Sequence, residues 1–166
     1  MDLKELNKAL EDVELDKLDK LKELILSASQ IIMIGNGGSN SICSHISQDY
    51  TKQLGKRAFG FSDPSRLTCY INDYGRDNAY RQFLSEFADE QTLVILISSS
   101  GNSSNILQCA DFCDNKNISF IVLSGFKKDN PLKVLYTRVA QLEFWVDSCD
   151  YGVVECAHQA ILHTAV

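Results

Sequence analysis

Apolar positions along the chain change their period after the first thirty residues. Over residues 3–28 they recur at helical spacing, as Leu3, Leu6, Leu10 and Val13 and then Leu18, Leu21 and Ile25. The phase slips at Glu14-Leu15-Asp16, where a break is expected. From there short apolar runs alternate with helical stretches. Residues 31–34, 58–61, 92–97, 119–123 and 139–146 read as strands, and residues 39–53, 78–88, 103–113, 131–135 and 151–166 as helices. The runs at 31–34 and 92–97 are apolar at nearly every position, as in strands covered on both faces. Strands alternating with helices predict an α/β fold with a doubly wound parallel sheet. The whole chain, 1–166, reads as one domain. Its segment 1–29 is a helical extension with an apolar stripe and no strand of its own. That stripe must pack on its own domain or on a second copy of the chain, and an oligomer interface is the expectation carried forward.

Composition narrows the partners. The net charge is −6, which argues against a broad nucleic-acid or anionic-membrane surface. A local anion site stays open, because backbone N–H groups bind phosphate without lysines. No apolar run reaches the roughly 18 to 20 residues of a membrane span. The charged start Met1-Asp2-Leu3-Lys4-Glu5 does not read as a secretory signal. The six cysteines form no CxxC pair and read as reduced thiols of a cytoplasmic protein. Cys109 and Cys113, one helical turn apart, read as small core residues rather than metal ligands.

Two strand-to-helix turns are unusual. Gly35-Asn36-Gly37-Gly38-Ser39 follows the first strand, and Ser98-Ser99-Ser100-Gly101-Asn102-Ser103 follows the third. Ligands of such folds bind beyond the carboxyl ends of the strands, near a topological switch point. In the second turn the hydroxyls of Ser98, Ser100 and Ser103, with the first N–H groups of the next helix, suit a phosphate dianion. The first turn is neither GxGxxG nor a Walker A loop, yet it permits close backbone approach, with Asn36 and Ser39 available to sugar hydroxyls. Of the three histidines, His45 is followed at helical spacing by Asp49. Glu155, Gln159 and His163 form one stripe on the last helix. If the two helices face each other, His45, Asp49, Glu155 and His163 make a site for zinc or another divalent ion. His158 reads as structural.

Taken together, these stretches resemble the sugar isomerase (SIS) domain family and, within it, the phosphoheptose isomerases. The resemblance rests on Gly35–Ser39, His45 with a carboxylate at 49, Asn72-Asp73-Tyr74-Gly75, the serine turn and His163. It implies a three-layer αβα sandwich with a five-stranded parallel sheet in flavodoxin-like order, assembled as a homotetramer with sites at subunit interfaces. It further implies phosphate on Ser98, Ser99, Ser100 and Ser103, and sugar on Asn36, Gly37, Gly38, Ser39, Asn72 and Asp73. Metal is implied on His45, Asp49, Glu155 and His163. Asp49, Glu155 and His163 are the implied proton carriers of a ketose–aldose isomerisation of a heptose phosphate. Two positions depart from the family pattern: Asp49 stands for a glutamate and Glu155 for a glutamine. Either carboxylate is then open as the base. Competing readings are a non-catalytic adaptor, a sugar-phosphate sensor and an isomerase of another sugar phosphate.

Overall fold

The computed structural model describes residues 1–166. Two N-terminal helices, α1 (Leu3–Glu11) and α2 (Leu15–Ser27), precede β1 (Gln30–Gly35). There follow α3 (Gly37–Leu54), β2 (Arg57–Gly60), α4 (Pro64–Tyr74), α5 (Arg76–Phe87) and β3 (Thr92–Ser98). The chain ends with α6 (Ser104–Lys116), β4 (Ser119–Ser124), α7 (Pro131–Tyr136), β5 (Leu142–Trp145) and α8 (Tyr151–His163). The five strands are all parallel, in the order β2-β1-β3-β4-β5, which is the flavodoxin-like order. The break foreseen near Glu14 lies between α1 and α2.

The two-residue period of a strand explains why the central strands are apolar throughout. Ile31 and Met33 with Leu93, Ile95 and Ile97 face α2, α3 and α8, whereas Ile32 and Ile34 with Val94 and Leu96 face the side of α5, α6 and α7. Each face buries a cluster of 18 residues, so neither side of the sheet is free to meet solvent. The N-terminal segment joins this core: α2 buries Leu21 and Ile25, and α1 lays Leu6 and Ala9 against Val153, Val154 and Ala157 of α8. Packing on its own domain therefore accounts for part of the stripe, while Leu3 and Leu15 stay exposed.

Two local expectations change. Helix α4 was not foreseen, although Asp63-Pro64 is a start signal, with Asp63 Oδ1 accepting from Arg66 N at 2.8 Å and Pro64 in the first turn. Strand β5 begins at Leu142 rather than 139, because Ala140 N still bonds Tyr136 O at 2.8 Å, closing the end of α7.

Candidate active site

The chain runs from β1 to β2 on one side and then crosses to β3 on the other, so the switch point lies between β1 and β3. Both unusual turns stand there, at the carboxyl ends of these two strands. Between them lies a cavity of about 110 Å³, lined by Asn36, Ser39, Ser98, Ser99, Ser100, Ser103, Ile97, Tyr151 and Glu155. No lysine or arginine lines it.

Its donors are backbone N–H groups and serine hydroxyls, of which Ser98 Oγ donates to Ser103 Oγ at 3.3 Å. Asp2, Asp63, Asn130 and Asp150 cap their helices with side-chain hydrogen bonds, but Ser103 at α6 and Asn36 at α3 do not. The backbone N–H groups of Ser99, Ser100 and Ser103 donate to no group of the chain. Ser99 Oγ is buried and likewise without a partner. Such a set of free donors at a helix start is a receptor for an anion. The turn is fixed from behind. Gly101 has φ +62°, and a Cβ there would collide with Asn130 Oδ1. Asn130, itself buried, donates to Gly125 O and Lys127 O and accepts from Lys133 N, while Leu132 N donates to Gly101 O at 2.9 Å.

On the opposite wall α3 and α8 lie side by side and run in the same direction. Gly38, near the start of α3, meets Glu155, near the start of α8. A Cβ on Gly38 would collide with both carboxylate oxygens of Glu155, so glycine is what lets that carboxyl rest on the helix. Burial raises the Glu155 carboxyl above its ordinary value. Further along the same pair, His45 Nε2 stands 3.5 Å and His163 Nδ1 3.7 Å from Asp49 Oδ2. The two imidazoles meet edge to face at 5.2 Å. One donor atom from each of His45, Asp49 and His163 falls within 4.8 Å of the others. Tyr50 holds the helices together here, its hydroxyl donating to Leu162 O at 2.8 Å. Two imidazoles and a carboxylate at this spacing fit a divalent cation. The structure does not bring Glu155 to this cluster. It shares a face with His163 but stands eight residues, about 12 Å, up the helix.

The expected residues thus fall into three groups. Asn36, Ser39, the four turn serines and Glu155 line one cavity, with Gly37 and Gly38 at its edge; His45, Asp49 and His163 form a second cluster. Asn72 and Asp73 belong to neither: they are exposed in the last turn of α4, bonded to each other at 2.9 Å. His158 is fully buried with Nε2 3.0 Å from Ser124 O, a structural histidine as expected, and burial depresses it to about 4. Tyr151, Asn105 and Asn130 were missed. For Asn105 a signal existed, an amide in the same stripe as Cys109 and Cys113 on the buried face of α6.

Curated relatives include phosphoheptose isomerases of several bacteria. A phosphoheptose isomerase of Fusobacterium nucleatum is 28% identical over 152 residues, covering 89% of this chain and 76% of the relative. That of Sodalis glossinidius is 29% identical over 138 residues, covering 73% and 71%. In sequence the chain is similar to phosphoheptose isomerases along most of its length. Among solved structures, a phosphoheptose isomerase of Francisella tularensis superposes with a TM-score of 0.84 at 18% identity, covering 96% of this chain and 88% of that one. That of Neisseria gonorrhoeae gives 0.82 at 20% identity over the same shares, and the SIS fold is common to all three. No family model matches the chain. No helix of this SIS-domain chain is long and apolar enough to cross a membrane.

Proposed function

We propose that this chain is an aldose–ketose isomerase that converts sedoheptulose 7-phosphate to the corresponding heptose 7-phosphate, a step that supplies heptose for surface polysaccharide. The observation that carries this reading is the cavity at the switch point, lined by the serine turn, where the N–H groups of Ser99, Ser100 and Ser103 and the Ser99 hydroxyl have no partner in the chain and no lysine or arginine lines the wall. A phosphate ester satisfies those donors and takes the favourable end of the α6 dipole. In a heptulose 7-phosphate, C1 and C2 lie at the end of the carbon chain away from the phosphate. The base therefore belongs outside the phosphate cavity, and Asp49 and His163 stand further along the same helix pair. Asp49 takes a proton from C1, exchanges it with solvent and delivers one to C2. His163 gives a proton to O2 and takes one from O1, through an enediol. Glu155 sits at the phosphate end, where its raised carboxyl lies next to the ester more readily in neutral form than an ordinary carboxylate would. A divalent ion, zinc by the softness of two imidazoles, would be held by His45, Asp49 and His163 and would supply polarisation of the carbonyl oxygen. A homotetramer in the cytoplasm, with sites completed at subunit boundaries, is part of this reading; exposed Leu3 and Leu15 are apolar surface that such an assembly would cover.

The test is incubation of the metal-analysed protein with sedoheptulose 7-phosphate in D₂O, followed by NMR. Aldose phosphate carrying deuterium at C2 is expected. No turnover at high enzyme concentration, with and without zinc, sinks the assignment. Binding without turnover favours the adaptor or sensor, and turnover of a shorter sugar phosphate alone changes only the substrate.

A further inference from the structure

Asn36 is the N-cap residue of α3, yet its side chain does not cap that helix. It reaches across the switch point instead. Asn105 Nδ2 donates to Asn36 Oδ1 at 2.9 Å, and Asn36 Nδ2 donates back to Asn105 Oδ1 at 3.0 Å. The two amides close a ring that fixes the plane of each. Asn105 is 2% exposed, the second residue of α6, and makes no other side-chain hydrogen bond. A buried amide is costly unless both its ends are bonded, and here both ends are spent on one partner. Asn36 lines the cavity and Asn105 does not. The pair links the glycine turn after β1 to the first turn of α6, which are opposite walls of that cavity.

We infer that Asn105 is a positioning residue: through its amide ring with Asn36 it holds the two walls at the separation that a bound sugar phosphate needs. The inference rests on the isomerase reading. Asn105 acts only through Asn36, so removing Asn105 matters only while Asn36 is present.

The experiment is a double-variant cycle with Asn36→Ala and Asn105→Ala, read as kcat/KM for sedoheptulose 7-phosphate, with inorganic phosphate binding measured by calorimetry alongside. Asn105→Ala is expected to lower kcat/KM about tenfold, as loss of a residue that orients a site residue does. Asn36→Ala should cost at least as much, and the double variant no more than Asn36→Ala alone. Inorganic phosphate, held by the serine turn, should bind each variant as it binds wild type. Should Asn105→Ala fail to fold, Asn105→Asp keeps the volume and one bond while setting a carboxylate oxygen against Asn36 Oδ1, and the same loss is expected. Additive losses in the double variant, an unchanged kcat/KM or an equal fall in phosphate binding would each overturn the inference. A wild type without turnover sinks the isomerase reading instead. The cycle is then read on sedoheptulose 7-phosphate binding, where additive losses again overturn the role of Asn105.

Discussion

The two ends of the α3–α8 pair use opposite chemistries. At their starts lies a cavity built from N–H groups, hydroxyls and one carboxyl, with no cation and no imidazole. Further down stand two imidazoles about one carboxylate. The donors of the first region are fixed dipoles, suited to an anion, and Glu155 is its one titratable group beside Tyr151. The second offers imidazole nitrogens and a carboxylate, the ligand types of a divalent ion. The difference teaches how one pair of packed helices can, on the proposed function, separate grip from chemistry: recognition falls to backbone geometry, and reaction to side chains that backbone geometry merely brings together.

The largest effect that tests this separation is on turnover. Asp49→Asn should lower kcat/KM about 10³-fold, the span of a lost general base, and release bound zinc, while inorganic phosphate binds as before. A loss below about tenfold would move the base elsewhere and erase the division.

Acid is next. His158 lies on α8 in neither region, and its value falls from 6.5 to about 4 on folding. The unfolded chain therefore takes up this proton first, so the stability linked to His158 is full above pH 6.5 and is lost as the pH falls through 6.5 toward 4. The limit is about 3 kcal/mol. Urea unfolding at neutral and acid pH should show that decline and a smaller one in His158→Gln. An equal slope in both would assign the loss to other groups.

Gly101→Ala and Gly55→Ala separate strain from function. Both glycines have positive φ, but Gly55 opens on empty space and Gly101 on Asn130. Gly55→Ala should cost about 1 kcal/mol of stability, and Gly101→Ala more, with phosphate binding lost as well. Equal costs with intact binding would show that the serine turn tolerates displacement.

The smallest contrast is between two helix starts. Asp150 Oδ1 accepts from Gly152 N at 2.7 Å and Val153 N at 3.2 Å, so α8 closes its own end. Ser103 leaves the end of α6 open. Asp150→Ala should lower the melting temperature, whereas Ser103→Ala should leave it unchanged and weaken phosphate binding about tenfold. The reverse pattern would make Ser103 an ordinary cap.

The fold was legible where burial is total. Strands β1 and β3 are apolar because both faces are covered, and that signal survives in one dimension. Helix α4 was not legible because it buries no residue fully; its inward face is only Leu67, Tyr70 and Ile71, half-buried. At the site, the serine turn and the His45–Asp49 spacing are local and could be read. The Asn36–Asn105 ring joins residues 69 apart and exists only through the register of β1 against β3. The place of Glu155 shows a different limit. A shared helical face gives direction but not depth, and two turns separate Glu155 in the cavity wall from His163 in the histidine cluster.

Gly38 carries a consequence for how this sequence can change over generations. Its missing Cβ is the seat of the Glu155 carboxyl, so a change at 38 is felt at 155. A side chain gained at 38 would push that carboxyl off the start of α3 and out of the cavity wall it now forms.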